Sequence, residues 1–390
     1  MNSRRWQFWV LLAVVALIAA GALYAYGART FTRISSPDAM RYASLAREFL
    51  HGDGFAWRQY LPYEMASEGY NPDKQYPHFL YPLVIAGAIR LFGEQDLSVA
   101  LASALPTVLA AILIFLLGCA WFDLRAGFLA ALAFALGADT LYYGLSGLTE
   151  PLFTVLLLCG VFCFARGLRK GTRAPVAWIA AAGAILGLGQ AVRPVGALYF
   201  VPFVIILLAT RERRWANAAA FAAAFGLLFG MTTWVGAGRF LPVGDPSYGL
   251  LTGIGEFKEK YDFHRMLALP PDPWAYALAH WADFSGKILS SAHHYVKEFL
   301  PVLGSGSAAA GALFVASWLV RYKEPALGKV RALILLLMAA QLGVNLLLWP
   351  TDRYFFPFLP FVLLFASDYV WRIVDALRMA ARGDAVEPAG

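Results

Sequence analysis

Residues 32–55 read TRISSPDAMRYASLAREFLHGDGF, directly after an apolar run, residues 6–26, that is long enough to cross a bilayer. Ser36 suits an N-cap, Pro37 suits the first helical position, and Asp38 falls in the first turn, so a short helix is expected. Met40, Ala43, Ala46, Phe49 and Leu50 recur at helical spacing, which predicts an amphipathic helix lying on the membrane surface. Asp38 and Tyr42 are four residues apart and share a face. The carboxylate has two readings. It complements the helix dipole, or it is a catalytic base held at the membrane edge. On this segment alone the dipole reading is the simpler.

The rest of the chain supplies the membrane. Of its 390 residues 60% are hydrophobic and only 15% are charged, and its mean hydropathy is +0.59. Soluble domains carry roughly a quarter charged residues. Ten apolar segments are candidate spans: 6–26, 97–122, 126–145, 151–165, 176–191, 194–209, 216–235, 299–320, 332–349 and 354–371. The expected fold class is therefore an all-α polytopic membrane protein of about ten transmembrane helices. The run at 6–26 exceeds the length of a signal-peptide core and is read as a retained first span.

Charge then orients the chain. The net charge of +7 would suggest nucleic acid in a soluble protein, but here the basic residues cluster in every other connection. Arg4 and Arg5, Arg125, RGLRKGTR at 166–173, RERR at 211–214, RYKEPALGKVR at 321–331, and Arg372, Arg378 and Arg382 form one set. By the positive-inside rule these connections and both termini are cytoplasmic. The outward connections include two long loops, 27–96 and 236–298, rich in Trp, Tyr, Phe and Pro. Residues 1–372 are expected to form a single domain and 373–390 a cytoplasmic tail. Cys119, Cys159 and Cys163 all lie in apolar runs and read as packing residues.

Chemistry-bearing residues gather on the outward side. In NPDKQYPHFLYPLVIAGAIRLFGEQ, residues 71–95, prolines bracket His78, Phe79 and Tyr81 ahead of an apolar helix too short to span. His78 reads as a hydrogen-bonded structural residue or as a phosphate contact. Glu150 stands immediately before Pro151 at the outer mouth of the fourth span, and Asp139 near the outer end of the third. Arg193, between two short apolar helices, runs against the positive-inside rule and so calls for an anionic partner. Glu150, Asp38 or a phosphate would serve, the last through a bidentate fork. Asp352, Arg353 and Tyr354 open the last span, and Arg353 raises the same question.

Five stretches in this order, SPDAMRYASLAREF, YPHFLYPLVIAGAIRLFG, LTEPLFTVLLL, AVRPVGALYFVP and DRYFFPFLPFVLL, make most of residues 1–370 resemble the GT-C glycosyltransferases. The nearest branch is the dolichyl-phosphate-mannose protein mannosyltransferase superfamily, which includes bacterial aminoarabinose transferases. The resemblance implies a GT-C-like helical bundle with amphipathic helices in the first outer loop, and transfer of a sugar from a polyprenyl phosphate. It implies that Asp38 matches the family's first-loop catalytic Asp and Glu150 its acid in the third outer loop. Many members carry an acidic pair in the first loop, whereas here Ala39 follows Asp38.

The topology points the same way. Nucleotide sugars are cytoplasmic, so an outward-facing sugar transferase needs a donor that arrives through the membrane. Arg193, Arg353 or Lys74, with His78, would hold the donor phosphate. Asp38 would take the proton from an acceptor hydroxyl, with inversion at the anomeric carbon. Tyr42, Tyr81, Asp139 and Asp352 would line the acceptor cavity. The acceptor is a lipid, glycan or protein. No cofactor is expected; a divalent metal could replace the arginines, but the sequence offers no tight acidic pair to hold one. The competing class is a transporter or lipid flippase, which predicts inverted repeats and mid-membrane charges, neither of which is visible. A scaffold subunit of an envelope complex would leave the ordered acids and arginines without a role. The preference for Arg over Lys and the abundance of Ala suit a bacterial inner membrane with the active face toward the periplasm.

Overall fold

The computed structural model describes residues 3–56, 58, 76, 78–210, 212–237, 247–257, 270, 272–348 and 350–382. Every candidate span is helical. In chain order the helices are α1 (Ser3–Thr30), α2 (Pro37–His51), α3 (Leu80–Phe92), α4 (Asp96–Trp121), α5 (Leu124–Ala135), α6 (Ala138–Leu145), α7 (Glu150–Leu168), α8 (Pro175–Gly189) and α9 (Gly196–Ala209). They continue with α10 (Arg214–Ala237), α11 (Ser247–Leu251), α12 (Pro273–Ala279), α13 (Trp281–Lys297), α14 (Phe299–Leu303), α15 (Ala308–Ala316), α16 (Pro325–Leu347) and α17 (Leu359–Ala381), the last preceded by a 3-10 turn, Asp352–Phe358.

The count of ten spans needs correcting. Among the described residues six helices are long and apolar enough to cross a membrane, and α5 with α6, bent by 59°, makes a seventh if taken as one broken span. The 15-residue α8 and the 14-residue α9 rise only about 21–23 Å at 1.5 Å per residue, short of a hydrocarbon core of about 30 Å. The expected span 299–320 is broken at Gly304 into α14 and α15. The physical cause is local: Gly304, Ser305 and Gly306 interrupt the helix, and Ser305 adopts φ +46°.

Short helices stay in the bundle because they pack closely. Lipid tails are as apolar as leucine, so helix association in a membrane rests on close contact between small residues. Gly183 and Gly187 of α8 lie against the backbone of α10. A Cβ at Gly183 would stand 2.3 Å from the Phe221 carbonyl oxygen, and one at Gly187 would stand 2.6 Å from that of Phe225. Beside them Phe203 stacks on Phe221 with ring centroids 5.2 Å apart.

The amphipathic helix α2 forms with two adjustments. Ser36 occupies the N-cap position, but its side chain makes no capping bond. The buried face is Ala39, Ala43, Leu45 and Ala46, whereas Met40 and Phe49 are exposed. The alanines dominate because α2 docks on protein, against α3, and only small side chains permit that approach. The larger apolar residues Met40 and Phe49 are left at the surface, where Phe49 stacks on Phe55 with ring centroids 4.7 Å apart.

Ion pairs sort the connections into two ends. Arg125 pairs with Asp375 at 2.8 Å and Arg169 with Glu324 at 2.9 Å, each joining two connections of the basic set. Arg353 pairs with Asp38, Arg193 with Glu150, and His294 with Asp352, each joining connections of the opposite set. Among the described residues no ion pair crosses from one set to the other.

Overpacking the α8–α10 contact tests this architecture. Gly183→Val is expected to cost about 1–3 kcal/mol and to lower the thermal midpoint of the purified protein in detergent. Gly226→Ala, where an added Cβ meets nothing within 4 Å, leaves that midpoint unchanged or slightly raised. Equal midpoints for both variants would refute the close contact.

Candidate functional site

Asp38, Glu150, Arg193 and Arg353, spread over 315 residues of sequence, converge at one end of the bundle. Each is delivered by a separate device. Asp38 sits in the first turn of α2. Glu150 is the first residue of α7, and the turn before it turns on Gly147 at φ +71°. A Cβ there would lie 2.9 Å from Val99 Cγ1 and 3.1 Å from Ala39 Cβ. Only glycine both adopts that conformation and lets α2 come this close to the start of α7. Arg193 lies in the turn between α8 and α9. That turn is clamped from the first outer loop: the His78 imidazole bonds the Gln190 carbonyl through Nδ1 at 2.7 Å, and Leu80 N–H donates to the Ala191 carbonyl at 2.9 Å.

Arg353 depends on a chain of buried polar groups that the sequence did not disclose. Tyr199 O–H donates to Gln341 Oε1 at 2.8 Å, Gln341 Nε2 donates to Asn345 Oδ1 at 2.9 Å, and Asn345 Nδ2 donates to the Tyr295 hydroxyl at 2.9 Å. That hydroxyl also accepts from Thr351 N–H at 2.9 Å, fixing the residue that opens the Arg353 turn. Gln341 and Asn345, four apart on the apolar C-terminal part of α16, were the available signal, because polar groups inside a membrane helix seldom lack a purpose. Tyr354, which the sequence placed at the start of the last span without a role, has its ring 4.9 Å from the Arg193 guanidinium carbon and 5.3 Å from that of Arg353, a cation–π contact to each.

The cluster holds two carboxylates and two guanidinium groups. Arg353 Nη2 donates to Asp38 Oδ2 at 2.7 Å, and its Nε lies 3.7 Å from Glu150 Oε1. Arg193 Nη1 lies 3.1 Å from the same Glu150 oxygen, at an angle that makes no hydrogen bond. Glu150 and Arg193 are buried, 1% and 7% exposed, whereas Asp38 and Arg353 keep about a third of their side chains open. Glu150 Oε2, Arg193 Nη1 and Arg353 Nε are left without hydrogen-bond partners among the described residues. The site is charge-balanced but has unspent donors on both arginines. That suits an arriving anion.

The other expected residues divide. Tyr42 lies edge-on to Tyr81, with ring centroids 5.4 Å apart, and burial raises its hydroxyl pKa well above the usual value. Tyr81 is fully buried and its hydroxyl pairs with Ser103 Oγ at 2.7 Å, while Ser103 donates to the Leu148 carbonyl; this tie steadies the turn before Glu150. Asp139 accepts from Ser305 Oγ, and Asp352 meets His294 Nε2 at 3.1 Å. Both acids border a polar cavity of about 670 Å³, shared with Tyr143, His293, Lys297 and Glu298. His293 and His294 were not singled out in the sequence. Lys74 lies outside the described residues.

A divalent metal fits this donor set poorly. The two carboxylates face Arg193 and Arg353, whose charge opposes a second cation. Among the described residues no group of three or more His, Cys, Asp or Glu side chains could hold a metal ion.

Two expectations concern stability. Glu150→Gln leaves the buried Arg193 charge without its carboxylate, which costs about 3–5 kcal/mol and lowers the unfolding midpoint. An unchanged midpoint would show that Arg193 has another counter-ion. The second concerns His78, whose pKa burial lowers from 6.5 to about 4. Between those values the unfolded state binds more protons, so stability falls as pH drops through that window, by about 3 kcal/mol in all. Denaturation midpoints measured from pH 7 to pH 4 should show this slope, and His78→Gln should flatten it.

Residues 76–235 match the model of the dolichyl-phosphate-mannose-protein mannosyltransferase family. No curated protein matches the chain by sequence. Among solved structures, ArnT from Cupriavidus metallidurans bound to undecaprenyl phosphate superposes with a TM-score of 0.60 at 18% identity, over 97% of this chain and 64% of that one. The oligosaccharyltransferase AglB from Archaeoglobus fulgidus, in complex with an inhibitory peptide and a dolichol-phosphate, gives 0.55 at 16% identity, over 100% of this chain and 53% of that one. An Archaeoglobus fulgidus oligosaccharyltransferase complex with Zn and sulfate gives 0.54 at 16% identity, over 95% of this chain and 50% of that one. The chain thus spans between half and two thirds of the length of these structures. Along nearly all of its own length it has the fold of ArnT and the archaeal oligosaccharyltransferase, and over residues 76–235 it is similar to the mannosyltransferase family.

Proposed function

We propose that the chain is a membrane glycosyltransferase that moves a sugar from a polyprenyl-phosphate donor to a lipid, glycan or protein acceptor. The observation that carries this reading is Arg353, shared between Asp38 and Glu150 at the open edge of the cluster. An arginine that holds the candidate base and keeps about a third of its side chain open suits an anionic donor that competes for it. ArnT and AglB, which share the fold, are bound to undecaprenyl phosphate and dolichol-phosphate. Beside the cluster an apolar groove of about 850 Å³ runs between α13, α14, α15 and α16, lined by Val296, Phe299, Phe314, Trp318, Leu342 and Phe355. Phe355 is two residues from Arg353. A groove of this chemistry suits an isoprenoid chain whose phosphate ends at the arginines.

The steps follow from charge. The donor phosphate takes Arg353 from Asp38, and the freed carboxylate becomes a base. Asp38 accepts the proton of an acceptor hydroxyl as that oxygen bonds to the anomeric carbon. The bond from that carbon to the phosphate oxygen breaks, and its electron pair leaves with the lipid phosphate. Arg353 and Arg193 stabilise the charge that develops there, and Glu150 fixes both arginines from beneath. Displacement from the face opposite the leaving group inverts the centre, by analogy with inverting glycosidases. The polar cavity bordered by Asp139, Tyr143, His294 and Asp352 is assigned to the acceptor. The basic connections gather at the other end of the bundle, so the positive-inside rule supports a periplasmic site in a bacterial inner membrane, with residues 1–372 acting as one domain.

Sugar transfer by the purified protein in liposomes tests this, against a panel of polyprenyl-phosphate sugars and lipid or peptide acceptors. Asp38→Asn is expected to fall between about a hundred- and ten-thousand-fold while its unfolding midpoint stays near that of the parent. A fully active Asp38→Asn would move the base to another group. Absence of transfer with every donor would favour a lipid transporter.

A further inference from the structure

The end of the bundle opposite the acid–arginine cluster holds another polar cavity. Over its 19 residues α7 carries the chain roughly 27 Å away from Glu150, and there a space of about 620 Å³ opens between three connections. It is bounded by the turn from α7 to α8, the turn from α9 to α10, and the start of α16. Four cations line it: Arg169, Lys170, Arg213 and Lys329. Two carboxylates, Glu212 and Glu324, also line it, and Glu324 is occupied by Arg169 at 2.9 Å. The balance is positive. The 15-residue α8 and the 23-residue α16 begin here without side-chain caps, while α7 and α9 end here, so the helix dipoles offset one another and the side-chain charges set the field.

Basic turns at this end would arise from topology alone, and they do not make a site. Asn217 does. It lies in the first turn of α10, is 5% exposed, lines the cavity, and its amide oxygen has no hydrogen-bond partner among the described residues. A buried amide with unmet bonding capacity is costly in a membrane protein. Turned about its last bond, it offers its NH2 group in place of its oxygen. The backbone around it is also held in costly form: Ala174 and Arg213, either side of the cavity, have φ of +51° and +50°.

We propose that this cavity binds a phosphate group, carried either by an anionic lipid headgroup in the facing leaflet or by a soluble phosphate ester. Lys329, Arg213 and Lys170 supply charge, and Asn217 supplies a neutral hydrogen bond at the floor. The site is separate from the transfer chemistry and does not depend on it.

Native mass spectrometry of the full-length protein in detergent, titrated with phosphatidylglycerol or phosphatidylcholine, tests the proposal. A second arm adds inorganic phosphate or glycerol 3-phosphate and reads both displacement of bound lipid and the unfolding midpoint. The expected result is one preferentially bound phosphatidylglycerol, weakened about fivefold by each of Lys329→Gln and Arg213→Gln. Asn217→Leu should weaken it without changing the charge, and Arg378→Gln, at the same end but outside the cavity, should leave it unchanged. If the soluble phosphates bind and phosphatidylglycerol does not, the phosphate site stands and its source is soluble. Equal retention of both lipids with no effect of phosphate would overturn it. So would equal weakening by Arg378→Gln and Lys329→Gln with no effect of Asn217→Leu, because that pattern is generic charge attraction. Arg213 and Arg378 are exposed and Lys329 is half-buried, so these variants should fold; midpoints in phosphatidylcholine check this.

Discussion

The structure is organised around one electrostatic constraint: Glu150 and Arg193 are buried together at the end of a helical bundle. Either charge alone would be expelled from such a place, since neither water nor lipid can compensate it there. Once paired, they require everything near them to be held still. The Gly147 turn, the His78 clamp on the Gln190 carbonyl and the Tyr81–Ser103–Leu148 tie all bear on the two turns that carry these residues. Arg353 completes the arrangement by reaching Glu150 from one side and Asp38 from the other.

The site is graded from dry to wet. Glu150 and Arg193 are closed off, whereas Asp38 and Arg353 remain partly open. An inner pair that does not move and an outer pair that can exchange partners is an arrangement suited to binding an anion and releasing a base in the same event. The polar chain from Tyr199 through Gln341 and Asn345 to Thr351 serves the outer pair as the glycine turn serves the inner one. Both are rigid supports under side chains that have work to do.

Two surfaces lie to either side of this centre. The groove beside Phe355 is apolar, and the cavity of Asp139, His294 and Asp352 is polar. A reaction between a lipid-linked sugar and a polar acceptor needs such a junction. At the far end, the cavity around Asn217 places a buried amide among the basic connections.

By itself the sequence determined the membrane class, the helical character of the apolar runs and the two sets of connections, and it held the four charged residues among a longer list of candidates. Those follow from composition, from runs of apolar residues and from the placement of charge, all of which are local or additive properties. Arg193 was marked as needing an anionic partner because a lone arginine on the outward side is out of place. Tertiary structure alone decided which acid that partner is, and that Arg353 lies between two of them. It also decided that α8 and α9 are too short to span and that Ala39 rather than Met40 faces the protein. These depend on close approach, at Gly147, Gly183 and Gly187, and on hydrogen bonds between Tyr199, Gln341, Asn345 and Tyr295. Residues 50 to 142 apart in sequence meet there, and no periodicity in the chain records that they do.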